Sequence, residues 1–154
     1  GLVGSEMCIR DSLYTEAQKR GCNKIALGHH YDDAVSTVLM GLLYGGQVQA
    51  MLPRLAAKNY PGMELIRPMY HIRERDVQAW VQHCGLDFVS CDCPAKELEH
   101  DTKRAAVRTL IDTLAADNPQ VGANILNAVK NVDTQKLLGW RDETGFHSFL
   151  DRLE

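Results

Sequence analysis

The 154-residue sequence has no apolar run approaching the ~20 residues that a membrane-spanning helix needs. It has no amino-terminal basic segment followed by an apolar stretch, so no secretory signal is visible. Its formal net charge is −3, which excludes a polycation, and contact with nucleic acid would require a local basic patch. The sequence therefore predicts a protein without a membrane partner.

A disulfide framework is equally absent from the pattern. The five cysteines are Cys8, Cys22, Cys84, Cys91 and Cys93. Because the number is odd and no signal is visible, we expect reduced thiols and a cytoplasmic location. Cys84 falls on the apolar face of a predicted helix, so we expect it, and Cys22 likewise, to be core thiols.

Predicted strands and helices alternate over the first ninety or so residues. Strands are predicted at 24–28, 63–68 and 86–91, with helices from Asp33 to Gly45 and over 72–85. Residues 47–63 contain two prolines and are predicted to be a connection. This alternation is typical of an α/β fold with a parallel sheet, although three strands are few for a sheet covered on both faces.

Four regions are predicted along the chain. Residues 1–12 have no apolar period and are predicted to be non-native or disordered, and residues 13–94 form the α/β domain. Residues 95–139 are predicted to be a helical extension. Residues 140–154 have no clear period and are predicted to be a tail or a short hairpin.

Four titratable side chains follow the first predicted strand: His29, His30, Asp32 and Asp33. Ligands of open α/β sheets bind beyond the carboxyl ends of the strands, and the start of the next helix favours anions. Carboxylates can hold Mg²⁺, and imidazoles can donate hydrogen bonds to phosphate oxygens. We favour phosphate chemistry over the alternative, in which an aspartate only caps the helix and the histidines are solvated.

Three stretches resemble the tRNA 2-thiocytidine synthetase branch of the PP-loop ATPases, to which lysidine synthetases are more distantly related. They are "CNKIALGHHYDDAVSTVLMGLLYGGQVQAMLPRL", "MELIRPMYHIRERDVQAW" and "TKRAAVRTLI", and the resemblance runs from about Leu13 to about Val132. It implies a five-stranded, Rossmann-like parallel sheet of the adenine-nucleotide alpha hydrolase type. It also implies that ATP and Mg²⁺ adenylate a tRNA base carbonyl, after which sulfur displaces AMP, and that tRNA and a sulfur donor protein are the partners.

The resemblance also assigns site residues. The catalytic and metal-placing set is His29, His30, Asp32 and Asp33, of which the two aspartates would place the metal. The cofactor-binding set is Gly28, Arg67 and Pro68. Arg67 would neutralise charge that develops on phosphate, and the alternative is a salt bridge to Glu64 or Asp76.

Two departures from the family limit what this chain is expected to do. The family's Glu-Thr pair is replaced by Ser36-Thr37, so one carboxylate is missing. The family's phosphate loop, Ser-Gly-Gly-x-Asp-Ser, is nowhere in the sequence. Its backbone amides cradle pyrophosphate, so we expect a truncated chain that is inactive as it stands.

The cysteines are interpreted through the same resemblance. Family members bind an iron–sulfur cluster through an upstream Cys-x-x-Cys and a later cysteine. Cys91 and Cys93 resemble the later ligand region, whereas Cys8 is not part of a Cys-x-x-Cys. We therefore expect a complete cluster only in the intact parent protein.

The helix "TKRAAVRTLI" is the candidate nucleic-acid contact. Its Lys103, Arg104 and Arg108 are the candidates for contact with tRNA phosphates, although a solvated helix face is the favoured interpretation because the chain is acidic overall. Two other functions stay open. The histidines and aspartates also suit a divalent-metal-dependent phosphoester hydrolase, and the basic helix also suits a non-catalytic tRNA-binding remnant. A phosphate loop in the parent gene would decide for the thiolation enzyme.

Overall fold

The computed structural model describes residues 3–87 and 99–153, with side chains described for 11–87 and 103–153. Within these ranges the helices are Val3–Lys19 (α1), Tyr31–Gly45 (α2), Glu74–His83 (α3), Glu99–Asp117 (α4) and Val121–Ala128 (α5). The strands are Lys24–Ala26 (β1), Arg54–Ala56 (β2), Glu64–Ile66 (β3), Gly139–Asp142 (β4) and Gly145–Ser148 (β5). Two short 3-10 helices are Thr134–Lys136 and Phe149–Arg152.

The first three strands form a sheet in the order β1-β3-β2. The β1 and β3 strands run parallel, with Ile25 opposite Leu65, as the alternating pattern predicts. The β2 strand runs antiparallel to β3, with Leu55 opposite Leu65. The prediction of a plain connection over 47–63 is therefore wrong, because the chain doubles back and pairs three residues of this segment with β3. The third predicted strand, 86–91, lies mostly outside the described residues.

Helix α2 is bounded by a polar start and a glycine end. It begins two residues before the predicted Asp33, because the His30 backbone N–H donates to the Asp33 carboxylate at 3.1 Å and the chain turns into the helix there. It ends as predicted at the glycine pair, where Gly46 has φ of 60°, a left-handed conformation that glycine adopts without strain. The chemistry-bearing residues therefore lie in the first turn of a well-delimited helix.

The main core lies between α2 and the carboxyl-terminal helices. Ala34, Val35 and Val38 of α2 are buried with Tyr70 and with Leu126 of α5. Burying one such valine fully stabilises the fold by about 1.5–3 kcal/mol. This packing fixes the start of α2 against α4 and α5. In the described residues no helix is both long and apolar enough to cross a membrane.

Neither of the thiols expected in the core is there. Cys22 and Cys84 are both exposed, so that prediction is wrong. Helix α3, which ends just before Cys84, has no buried residue, and Trp80 on its apolar face is 58% exposed. An apolar stripe marks a face that a helix can bury, but the described residues of this chain leave that face open.

The amino-terminal helix runs across the predicted boundary at residue 12. It begins at Val3, and Tyr14 within it stacks on Tyr60 with 4.7 Å between ring centroids. The Tyr60 hydroxyl also lies 3.3 Å from the Asp11 carbonyl oxygen. The separate origin of residues 1–12 stays a prediction.

The carboxyl-terminal segment takes the second of its two predicted forms. Strands β4 and β5 pair as an antiparallel hairpin, with Trp140 opposite His147. A 3-10 helix, Phe149–Arg152, follows directly. The hairpin interpretation of this segment agrees with the structure.

Candidate functional site

The parallel pairing of β1 and β3 sets the position of the site. Their carboxyl ends meet at one edge of the sheet, where His29 follows β1 and Arg67 follows β3. The pairing continues past the strands, since the Leu27 N–H donates to the Ile66 carbonyl oxygen at 2.9 Å. The Tyr31 N–H then donates to the loop that precedes α3, also at 2.9 Å. The starts of α2 and α3 are thereby held side by side at this edge.

Asp32 joins these two helix starts directly. Its Oδ2 accepts a hydrogen bond of 2.7 Å from the backbone N–H of Glu74, the first residue of α3. A carboxylate at this place satisfies an otherwise unpaired amide and interacts favourably with the helix dipole. The alternative in which an aspartate caps a helix is thus realised twice, because Asp32 caps α3 and Asp33 accepts from the backbone N–H of His30, the residue that precedes α2.

Five charged or titratable side chains form what we call the carboxylate cluster: His30, Asp32, Asp33, Glu74 and Arg108. The Oδ1 of Asp33 accepts a 2.9 Å hydrogen bond from Arg108, and a second Arg108 nitrogen lies 3.5 Å from Glu74. His30 nitrogens lie 3.6 Å from Asp32, 3.4 Å from Asp33 and 3.9 Å from Glu74. The cluster thus joins residues of α2, α3 and α4 around one imidazole.

Several buried polar atoms around the cluster have no hydrogen-bond partner among the described residues. They are Nδ1 of His29, Nδ1 of His30, Oη of Tyr31 and Nε of Arg108. Buried polar atoms in folded proteins are almost always paired, so each exception needs an explanation such as a bound ligand or water. Three of the four belong to consecutive residues at the start of α2. This is the part of the described structure best suited to receive a polar ligand.

His29 has an unusual electrostatic environment. Burial lowers its pKa, and the neighbouring Arg67 charge lowers it further; Asp33 opposes this, and Arg104 adds a smaller lowering effect. The ring is therefore neutral at neutral pH, with two cationic side chains near it. A neutral imidazole beside guanidinium groups is suited to an anion such as phosphate, because it adds a hydrogen bond without another desolvated charge.

Arg67 itself is oriented by the chain that precedes β2. One of its terminal nitrogens donates to the Leu52 carbonyl oxygen. The two carboxylates considered as its salt-bridge partners have other cations: Glu64 pairs with Lys24 and Arg54, and Asp76 pairs with the adjacent Arg75. The Arg67 side chain thus lies at the carboxyl edge of the sheet and near His29.

A cleft of about 130 Å³ opens beside the carboxylate cluster. Its lining combines charged side chains from three helices with an apolar wall from α2, α4 and α5: Tyr31, Asp32, Val35, Ser36, Arg73, Glu74, Arg108, Ile111, Asp112, Ala115, Pro119 and Gly122. The Arg73 guanidinium lies over the Tyr31 ring, 4.9 Å from its centroid. Burial raises the pKa of Tyr31, so its hydroxyl remains a hydrogen-bond donor at neutral pH.

Comparison with known proteins identifies the family. A family model described as a PP-loop domain matches residues 10–114, which is more than half of the chain. The chain belongs to the PP-loop domain family. The match covers β1, α2, β3 and most of α4, and thus all five residues of the carboxylate cluster.

Several curated relatives of this PP-loop chain have the same name. The chain is 39% identical to the tRNA-cytidine(32) 2-sulfurtransferase of Syntrophotalea carbinolica, over 88% of this chain and 54% of that protein. The proteins of the same name from Geobacter metallireducens and Legionella pneumophila are 38% and 35% identical, over 84% and 94% of this chain. The chain spans about half the length of the curated relatives it matches.

A solved structure with a similar fold is the U34-tRNA thiolase NcsA from Methanococcus maripaludis, described with its [4Fe-4S] cluster. The TM-score is 0.66 over 86% of this chain and 45% of that chain, at 19% sequence identity. At this identity the similarity concerns the fold. The predicted α/β fold of the adenine-nucleotide alpha hydrolase type is thereby confirmed, with the β2 strand as the correction described above.

The PP-loop chain does not bring all predicted site residues together. Of the three basic residues proposed to contact nucleic acid, Arg108 belongs to the carboxylate cluster and Arg104 is near enough to His29 to affect its pKa. Lys103 instead places its Nζ 5.8 Å from the centroid of the Tyr44 ring. The three side chains therefore have three different neighbours, and their contact with tRNA stays a prediction.

Only the two aspartates among the predicted metal ligands are described by the structure. Cys91 and Cys93 lie outside the described residues, and the side chain of Cys8 is not described. Among the described residues, no group of three or more His, Cys, Asp or Glu side chains is placed to hold a metal ion. Asp33 already uses both carboxylate oxygens, for His30 and for Arg108. Metal placement by Asp32 and Asp33 thus stays a prediction.

Two functional candidates in the PP-loop chain, Glu74 and Tyr31, were not predicted from the sequence. Glu74 supplies a third carboxylate to the cluster, whereas Ser36 is fully buried and donates to the Asp32 carbonyl oxygen. The one sequence signal for Glu74 is an acidic residue in the first turn of a helix that follows a strand. Tyr31 occupies the x position of the His-His-x-Asp-Asp motif, for which the motif specifies no residue type.

Proposed function

We propose that this chain is the part of an ATP-dependent tRNA sulfurtransferase that carries the His-His-x-Asp-Asp motif. The whole enzyme would adenylate a tRNA base, cytidine, so that sulfur can replace the carbonyl oxygen. The observation that carries the proposal is the set of unpaired buried polar atoms at the start of α2, in a chain whose curated relatives are tRNA-cytidine(32) 2-sulfurtransferases.

The residues around His29 fit the phosphates of ATP. Neutral His29 offers an unpaired ring nitrogen, and Arg67 and Arg104 supply positive charge beside it. Gly28 leaves room at the strand end, where an added Cβ would meet only Met69 at 3.7 Å, and Pro68 stiffens the turn after Arg67. When bound, ATP would supply an AMP leaving group. Arg67 would stabilise the charge that develops on the reacting phosphate.

The carboxylate cluster would orient the reacting groups rather than react covalently. Asp33 holds the His30 backbone and Arg108, and Asp32 fixes the start of α3. His30 is therefore held in one position by contacts from three directions, as positioning of a base and a phosphate requires. In the overall reaction the base carbonyl oxygen leaves with AMP while sulfur from a donor protein forms the new carbon–sulfur bond.

The fit to Mg²⁺ and to an iron–sulfur cluster is not established by the described residues. They contain no group of three or more His, Cys, Asp or Glu side chains placed to hold a metal ion, and Cys91 and Cys93 lie outside them. No step is therefore assigned to either group. For the same reason the described geometry does not favour the alternative of a divalent-metal-dependent phosphoester hydrolase.

A chimera tests the proposal. Residues 13–153 would be joined to the amino-terminal half of the Syntrophotalea carbinolica relative, and tRNA thiolation would be measured by mass spectrometry of digested nucleosides. We expect 2-thiocytidine from the chimera and its loss in the His29→Gln variant, while the control Asp117→Asn, on the exposed end of α4, retains activity. A folded chimera that binds tRNA but transfers no sulfur would contradict the proposal.

The chain alone should not bind MgATP tightly. Each missing amide contact to a phosphate would weaken binding by about 1.5–3 kcal/mol, so several together would remove most of the affinity. Isothermal titration calorimetry measures this, with the chimera as the positive control. Micromolar binding by the chain alone would show that the missing loop is not needed for nucleotide binding.

A further inference from the structure

The cleft between α2, α3, α4 and α5 has features that ATP phosphates do not explain. One wall is apolar, formed by side chains such as Ile111 and Ala115, and its rim carries both carboxylates and guanidinium groups. Without a bridging cation, these carboxylates would repel phosphate, since like charges repel. A cleft of this composition suits a flat, uncharged ring with hydrogen-bond donors and acceptors on its edge.

Its size matches a single ring. The volume is about 130 Å³, and a cavity of about 150 Å³ in a protein interior holds one benzene molecule. A six-membered pyrimidine ring therefore fits. At the rim, the Arg73 guanidinium lies over the Tyr31 ring, and a base entering beside them would find a cationic and an aromatic surface to stack on.

We propose that this cleft receives an unstacked pyrimidine base of the tRNA substrate and that Tyr31, Asp32, Glu74 and Arg108 recognise its edge. This inference rests on the proposed function, because it takes tRNA as the substrate. It assigns the cleft to the base and leaves the region of His29 and Arg67 to the nucleotide.

The polar groups match cytosine better than uracil. Cytosine presents an amino group as donor, which the carboxylates of Asp32 and Glu74 can accept, and a carbonyl and a ring nitrogen as acceptors. Arg108 and the Tyr31 hydroxyl are donors for these acceptors. Uracil reverses part of this pattern, because it has a second carbonyl in place of the amino group and an N–H in place of the ring acceptor.

The Tyr31 hydroxyl is the most informative part of the cleft. Its oxygen is buried and has no hydrogen-bond partner among the described residues, and a Cβ on Gly122 would lie 2.9 Å from it. Glycine at position 122 therefore avoids a clash with this hydroxyl and allows the Tyr31 ring to occupy its position. A buried hydroxyl without a protein partner costs stability, so its retention is explained if a base acceptor pairs with it in the complex.

Binding of RNA stem-loops to the full chain tests the inference. The loop carries cytidine, uridine or an abasic nucleotide at the position named for the relatives, 32, and affinity is measured by fluorescence anisotropy. We expect the cytidine stem-loop to bind about tenfold more tightly than the abasic one, with uridine in between. Pyrrolocytosine at the same position should become brighter on binding, because it leaves the base stack.

Two variants separate recognition from folding. Tyr31→Phe should weaken cytidine binding about fivefold while the melting temperature stays equal or rises, since a purely structural hydroxyl would affect only the latter. Ala115→Leu fills the cleft and should weaken binding about tenfold, whereas Ala116→Leu, an exposed neighbour outside the cleft, should not.

The possible outcomes distinguish the two proposals. If all stem-loops bind equally and neither Tyr31→Phe nor Ala115→Leu changes affinity, the base-binding cleft is wrong and the proposed function stands. If the folded wild-type chain binds none of the stem-loops, the cleft inference fails, whereas thiolation by the chimera decides the proposed function separately. If Ala115→Leu does not fold, Tyr31→Phe alone decides.

Discussion

Two regions of this protein place a histidine against aspartate, and they do so in different ways. In the β4–β5 hairpin, the Asp142 carboxylate accepts hydrogen bonds from the Thr144 backbone, the Thr144 hydroxyl and the His147 ring. All three partners lie within five residues of Asp142, and the group is exposed. At the start of α2, the partners come from three helices and are partly buried.

The pairing of the polar groups separates a structural turn from a candidate site. In the hairpin, the polar groups pair with one another locally, as residues of tight turns commonly do. Around α2, the buried Nδ1 atoms of His29 and His30 have no hydrogen-bond partner among the described residues, although charged groups surround them. Incomplete pairing in a buried cluster, rather than the presence of histidine and aspartate, points to a ligand.

Because the partners in the carboxylate cluster come from three helices, removing one of its aspartates should destabilise the whole fold. Asp33→Ala deletes the acceptor for the His30 N–H and leaves Arg108 without its closest carboxylate. We expect the free energy of unfolding to fall by about 2 kcal/mol, measured by urea titration. Asp33→Asn keeps a cap acceptor and should lose less.

The matched control for this prediction is Asp112→Ala, because Asp112 is exposed on α4 at the rim of the same cleft. It should change the free energy of unfolding by less than about 0.5 kcal/mol. If Asp33→Ala and Asp112→Ala have equal effects, the cluster does not stabilise the packing of α2 against α4.

A second prediction concerns His29, whose pKa is lowered first by burial and then by Arg67. The Arg67→Gln variant should raise this pKa towards its ordinary value of about 6.5 without reaching it, because the larger effect, burial, remains. Histidine ring signals in an NMR titration measure the pKa directly. Arg54→Gln is the control, because Arg54 pairs with Glu64.

The sign of the effect on stability follows from the same pKa. The folded pKa lies below the unfolded one, so the unfolded chain takes up a proton first as pH falls. Stability is therefore lost from about pH 6.5 down to the folded pKa, and less is lost in Arg67→Gln. Equal acid sensitivity of the wild type and Arg67→Gln would show that Arg67 does not act on His29.

Local features of this fold could be predicted from the sequence because local patterns determine them. The start of β1 and the glycine end of α2 follow from an apolar run and a glycine pair, and the motif from His29 to Asp33 is contiguous. The partners could not be predicted in the same way. Glu74 and Arg108 lie 42 and 75 residues from the aspartates they contact, and only the packed fold brings them together.

Changes in the exposed β4–β5 hairpin should affect the rest of the molecule least. The Thr144 hydroxyl, then its backbone N–H, then His147 hold the pKa of Asp142 far below its usual range. A lowered carboxyl pKa gives stabilisation that is complete above the ordinary value and is lost progressively as pH falls from that value to the folded pKa. The hairpin should therefore keep its Trp140–His147 stack, 4.9 Å between centroids, on acidification to about pH 3.

NMR signals of the Trp140 indole follow this stack, and Asp142→Ala should release it at neutral pH while α2 signals remain unchanged. Asp151→Ala, which alters only the following turn, is the control. If Asp142→Ala instead shifts the NMR signals of the carboxylate cluster, the two regions are coupled. The contrast between a local turn and a site built from distant residues would then no longer hold.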